Sequence, residues 1–218
     1  MGLGWAAIWA LASGFGIGQA DSAASLTLWA RQIATVESAA NDDRIPTVAI
    51  LLDDVAGVSP TTLRKTEAIA TDVFRQAGVQ IRWITCSFSE AEHRDPPGCQ
   101  LSLDVPTVIT KILPDAASRR WGFPVNRLGF CLDKDVYLLM PGISAVAKRQ
   151  GLPIWLVLGH ALVHEAGHAL LGPGHSQGVM RPDFREADWR QSEKGQLLFV
   201  ANDAHRIREK LLKLAGGR

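Results

Sequence analysis

The stretch His164-Glu165-Ala166-Gly167-His168 has the residue types and the spacing to do chemistry. On an α-helix, residues four apart lie on one face, one turn above the other. Both imidazoles can therefore aim at one point. Neutral imidazole is a good zinc ligand, with a nitrogen–metal distance of about 2.0–2.1 Å. Glu165 sits about 100° round the helix from His164. Its carboxylate can reach a water on the metal rather than the metal itself, and a general base must stand within such hydrogen-bond reach. Zinc lowers the pKa of its bound water towards about 7, so a carboxylate can complete the deprotonation near neutral pH. A catalytic zinc takes three protein ligands and keeps one position open. His175 follows seven residues after His168, just beyond Gly172-Pro173-Gly174. Those residues cannot continue a helix, so the chain can turn and bring His175 to the same ion. Gly178-Val179-Met180-Arg181-Pro182 comes next, a tight turn carrying a methionine.

Several nearby residues compete for roles. His160 lies one turn before His164 on the same face. It is either a fourth ligand or a buried, hydrogen-bonded support, and the open position of a catalytic zinc favours the second. Asp183, Glu186 and Asp188 could replace His175 as third ligand, or form an exposed charged loop. Cys131 is a further rival. Met180 taken alone would read as core filler. His93 and His205 sit among polar neighbours and are expected to face solvent. Leu138-Leu139-Met140 reads either as an edge strand that pairs with an extended peptide or as a purely structural edge.

The elements that must position these residues follow from periodicity. Ile45 to Leu52 is a β-branched apolar run and predicts a strand. Ser59-Pro60 starts a helix with Leu63, Ala70, Val73, Phe74 and Ala77 at helical spacing, and Gly78 stops it. Val79 to Ile84 alternates and predicts a second strand. The helix between them implies a parallel pair with a right-handed crossover. Residues 87–100 read as a loop, Leu101 to Leu113 contains a third strand, and 114–132 reads as irregular. Asp135 to Met140 predicts a short fourth strand stopped by Pro141-Gly142. A long apolar helix runs from Pro153 to Leu171 and ends at Gly172. A polar segment, 176–196, precedes a terminal helix near Asn202 to Leu214, with Ala204, Ile207, Leu211 and Leu214 on one face. The chain is therefore of α/β (α+β) class: a small mixed sheet, a crossover helix, an active-site helix and a C-terminal helix.

Composition narrows the function. Lys and Arg number 23 and Asp and Glu 22, a formal net charge of +1. No basic excess exists to neutralise phosphates, which argues against nucleic acid as a partner. With 47% hydrophobic and 21% charged residues the chain is not of disordered composition. No apolar run of 18 or more residues occurs beyond the N-terminus, which excludes a polytopic membrane protein. Residues 1–20 carry no acidic or basic side chain and end in small residues, so they read as an export signal, although without a basic n-region. The alternative is a packed or anchoring helix. The organisation expected is a signal at 1–20, a lead-in at 21–44, an upper catalytic lobe at 45–175 with the active-site helix at 153–171, and a lower lobe at 176–218. Of the three cysteines, Cys86 and Cys99 flank a short polar loop that a disulfide could close, stabilising by roughly 3 kcal/mol. Cys131 would then be left over, and three reduced thiols are the other possibility.

His164-Glu165-x-x-His168, a glycine, a third histidine and a downstream methionine turn resemble the metzincin zinc endopeptidases, in particular small, matrixin-like, secreted bacterial members. The resemblance is strong over 155–182 and looser over 45–215. It implies a zincin-like fold and a zinc metalloendopeptidase, with His164, His168 and His175 as ligands, Glu165 as general base and Met180 as the floor beneath the metal. The family pattern puts glycine three and histidine six residues after the second ligand; here Gly172 is four and His175 seven after it. The family's tyrosine after the methionine is absent, because Tyr137 is the sole tyrosine, and Arg181 is the substitute donor considered. The expected cofactor is Zn2+ and the expected partner a peptide or protein substrate. The expected protein is an exported monomer, periplasmic or extracellular, with no nucleic-acid partner and no stable membrane insertion once the signal is removed, unless the N-terminus stays as an anchor. Two other readings remain open: a non-catalytic zinc-binding or interaction module, and a zinc hydrolase with Cys or Asp/Glu as third ligand. A peptide-deformylase-like site also joins such a helix to an upstream cysteine, but that family's glycine-rich motif is not visible.

Overall fold

A computed structural model describes residues 45–86, 105–120, 122–124 and 126–217. The expected export signal, the lead-in, the 87–100 loop, Cys99 with its proposed pairing, and His93 lie outside the described residues. Strand β1 (Thr47–Asp54) is buried on both faces from Val48 to Leu52. A strand in the middle of a parallel sheet requires that, because both faces are covered. It pairs in parallel with β2 (Gln80–Cys86) on one side and β3 (Thr107–Leu113) on the other, with Ile50 opposite Trp83 and Val108. Next to β3 lies β5 (Asp135–Leu139), also parallel, and β4 (Gly129–Leu132) closes the sheet as an antiparallel edge, giving the order β2-β1-β3-β5-β4. The Leu138-Leu139-Met140 segment is thus not an edge. Its strand is covered on both sides, and β4 takes the edge because the chain turns back through Asp133 (φ 56).

Helix α1 (Pro60–Gln76) connects the first two strands. The Ser59 side chain accepts from the Thr62 backbone N–H at 3.2 Å, and Pro60 occupies the first turn. Gly78, at φ 74, turns the chain into β2. Two short elements interrupt what reads as irregular sequence: α2 (Asp115–Arg120) and β4 itself. Pro141-Gly142 does more than stop β5. Proline is accepted in the first turn of a helix, and α3 (Met140–Gln150) starts there, ending at a left-handed Gly151.

The central helix α4 (Ile154–Leu171) is buried from Leu156 through Gly167 and again at Ala169 and Leu170. It is apolar on nearly every side because the sheet, α1 and the C-terminal segments surround it. Among the described residues it is the one helix long and apolar enough to cross a membrane, and most of it is packed inside the protein. At Gly159 the helix meets α1 so closely that a Cβ would stand 2.8 Å from Ile69. The polar segment beyond it contains α5 (Glu186–Glu193). The terminal helix α6 (Ala201–Gly216) buries Ala204, Ile207 and Leu211, whereas Leu214 is 41% exposed. Arg206 and Lys210 of α6 donate to the carbonyls of Leu171 and Ala169. These cations sit where α4 leaves its last carbonyls without helical partners.

Candidate metal centre

His164 and His168 lie one turn apart on α4, and each ring is oriented by a backbone carbonyl. His164 Nδ1 donates to Val179 O at 2.8 Å and His168 Nδ1 donates to Gly172 O at 3.0 Å. A ring nitrogen facing a carbonyl must carry the proton, so the Nε2 atoms are the unprotonated ones. His168 Nε2 lies 3.1 Å from His164 Nε2 and 3.2 Å from His175 Nε2. For His164 and His168 the close approach sets lone pair against lone pair, which only a cation between them stabilises. Two nitrogens on a tetrahedral zinc, each about 2.05 Å away, stand about 3.3 Å apart. The donor set therefore fits that ion. The ligating atoms of all three histidines lie within 4.8 Å of one another, and they form the one such group among the described residues.

The extra residue before His175 is absorbed locally. Gly172 (φ 97) grips His168 twice: its N–H donates to His168 O at 2.8 Å and its carbonyl takes the ring proton. Only the exposed Pro173-Gly174 remains to swing His175 back. Burial pushes the His164 imidazole down to about 4, with the neighbouring His168 and His175 adding to that and the Val179 carbonyl opposing it. The His175 ring is likewise held below its ordinary value by desolvation and by His168, against the pull of Asp183. Both rings are thus neutral and ready to ligate at neutral pH.

The methionine turn supports the helix from below. Ser176 N–H donates to Met180 O at 3.1 Å, closing the turn. Met180 is 1% exposed and packs beneath α4 at Gly167, where a Cβ would stand 2.3 Å from its sulfur. Met180 is therefore a packed floor, and Gly167 is the residue that lets the floor approach.

Glu165 is 6% exposed and points towards the edge strand, where a Cβ on Gly129 would be 2.9 Å from its Cγ. Burial raises its carboxyl to about 7, and the Arg127 charge pulls the other way. A carboxyl poised near neutrality can both take and return a proton. Glu165 and the three histidines line one cleft of about 1010 Å3, bounded by the segment before β4, by β4, α3, α4 and the methionine turn.

The competing residues stand elsewhere. His160 is 1% exposed and its Nδ1 donates to Leu156 O at 2.9 Å, so it supports α4 from within. Asp188 accepts from the Arg185 N–H and lies 3.6 Å from Arg181, while Glu186 pairs with Arg190 on the surface. Asp183 and Cys131 line the cleft outside the three-histidine group. The Cys131 thiol lies 3.6 Å from Asp133 O, and desolvation together with the carboxylates of Glu165, Asp135 and Asp133 raises it to about 11. His205 is exposed, beside Glu209.

One supporting residue carries no signal in the sequence. Asp203, 3% exposed in the first turn of α6, accepts the Ser176 hydroxyl hydrogen through Oδ2. Ser176 follows His175 directly, so this bond anchors the third histidine across 27 residues of sequence. Asp203→Asn is expected to weaken zinc binding about 10- to 100-fold, the usual consequence of losing a bond that orients ligands. Competition against a chromophoric chelator measures it, and an unchanged affinity would show that Ser176 holds its place without help.

With this geometry in place, comparison adds a distant likeness. Neither a family model nor a curated relative matches the chain. Among solved structures, the crystal structure of archaemetzincin from Methanopyrus kandleri is similar, with 14% sequence identity and a TM-score of 0.44 over 76% of this chain and 96% of that one.

Proposed function

We propose that this protein is a zinc-dependent metallopeptidase. The carrying observation is the convergence of three histidine Nε2 atoms beside a buried carboxyl in an open cleft. His164, His168 and His175 would hold the ion, and no fourth protein ligand joins them among the described residues. A bound zinc would supply Lewis acidity to the scissile carbonyl and to the attacking water. Glu165 would take a proton from that water and return it to the leaving nitrogen, a task that its place in the cleft beside the three histidines allows. Val179 O and Gly172 O keep the rings in the ligating tautomer throughout. No strand among the described residues pairs with the outer side of β4, so its main-chain groups are the ones an extended substrate would join, and strand addition belongs to this edge rather than to β5. The charge-free run at 1–20 supports export of the protein.

The reading predicts about one zinc per chain by elemental analysis, cleavage of a mixed peptide library, loss of cleavage with a chelator and recovery on zinc addition. Stoichiometric zinc with no cleavage of any peptide would replace it by a non-catalytic zinc module.

A further inference from the structure

The cleft is charged unevenly along the edge strand. Arg127 stands two residues before β4, and Asp133 follows directly after it; both line the cleft. Arg149, in the last turn of α3, lines the cleft as well. Among the described residues neither arginine has an acidic oxygen within 4 Å, unlike Arg181, which is drawn to Asp188. The roots of both terminal charges are fixed. The Arg127 carbonyl is pressed against Gly142, where a Cβ would stand 2.0 Å from it, and its N–H donates to Pro124 O at 3.1 Å. Asp133 sits in a left-handed turn at φ 56, with Asp135 beginning the next strand. Fixed roots and exposed heads are the arrangement that recognises opposite charge at low ordering cost.

We infer that the cleft selects extended peptides carrying an acidic side chain at the Arg127 end and a basic side chain at the Asp133 end. Six residues separate Arg127 from Asp133 in sequence, which at about 3.3 Å per residue spans up to roughly 20 Å. The matching substrate charges are therefore about five to seven residues apart, on opposite sides of the bond presented to Glu165. The inference rests on the metallopeptidase reading for what the peptide is doing there, but the charge selection is measurable without turnover.

The experiment uses two synthetic decapeptides of identical composition, one with Glu before Lys and one with the order reversed, six residues apart. Binding is measured by calorimetry to zinc-loaded protein carrying Glu165→Gln, and cleavage is measured with the wild type. One order is expected to bind about three- to tenfold more tightly than its reverse at low salt, with the difference shrinking at high salt. Arg127→Ala and Asp133→Asn together should bring the ratio close to one, and Arg127→Glu combined with Asp133→Lys should invert it. Equal binding of the two peptides, in a protein whose wild type cleaves a neutral library, overturns the charge inference and leaves the peptidase reading intact. An order preference that Arg127→Glu combined with Asp133→Lys inverts, in a protein that cleaves nothing, supports the charge inference and removes the peptidase reading.

Discussion

Glu165→Gln is expected to keep zinc at full stoichiometry and to lower kcat by about 10^2- to 10^4-fold, the range assigned to a positioned general acid–base. The amide has the shape of the carboxyl, so the packing against Gly129 survives, and Glu165 is not among the converging ligand atoms. What is lost is a group that can hold and return a proton. The same substitution has an opposite effect on stability. In the metal-free protein the carboxyl titrates near 7 rather than at its ordinary 4.5. As pH rises from 4.5, the unfolded chain ionises first, so the folded state loses stability until its own carboxyl ionises near 7. Above that pH the loss is complete, and below 4.5 it is absent. Removing the carboxyl removes this slope, so the metal-free variant should exceed the wild type by roughly 1–3 kcal/mol at pH 8 and match it at pH 4. Denaturant unfolding at the two pH values reads this directly. Identical slopes for both proteins would mean that burial does not hold the carboxyl neutral. A catalytic group that costs stability is a common trade-off.

Gly178→Ala is expected to damage both the fold and the metal centre. Gly178 has φ 64, which costs an L-residue about 1–2 kcal/mol. Its added Cβ would stand 2.2 Å from Leu198 O, a backbone atom that accepts from the Val179 N–H at 2.9 Å. Rotating a side chain cannot relieve that contact. The Leu198–Phe199 segment must retreat from Gly178, with which it forms an antiparallel bridge, and Val179 moves with it. The Val179 carbonyl is the partner of His164 Nδ1. The expected outcome is a loss of about 3–5 kcal/mol in stability together with a 10- to 100-fold loss in zinc affinity. Gly57→Ala provides the control: φ is 68 but nothing lies within 4 Å of the added atom, so only the conformational cost of about 1–2 kcal/mol should remain. Equal losses for the two variants would show that the Leu198 contact plays no part.

The convergence of the three histidines was legible because it is local. Two histidines four apart on an apolar run need only the helix period to be placed together, and Gly172-Pro173-Gly174 announces where the third can return. The strand–helix–strand of 45–85 was legible for the same reason, with Ser59 and Gly78 marking the ends of α1. Helix α3 was hidden by its start: Pro141-Gly142 reads as a stop for β5, yet Ile143, Val146 and Ala147 bury at helical spacing and Gly151 closes the helix. Strand β4 was hidden by its length. Four residues give no alternation to detect, and its place comes from pairing with β5 rather than from its own pattern. The Ser176–Asp203 bond and the Arg127 charge beside Glu165 are tertiary, so spacing along the chain cannot announce them.

The hold of α6 on the centre has a consequence for synthesis. A ribosome delivers the chain from its N-terminus, so His164 and His168 emerge before Asp203, Arg206 and Lys210 exist. Until α6 docks, the end of α4 lacks the cations on its last carbonyls and Ser176 lacks its anchor. A nascent chain would then grip zinc through two rings and a loosely held third, and exchange it readily. A chain whose α6 has not yet docked is therefore expected to hold a metal more loosely than the fully folded protein.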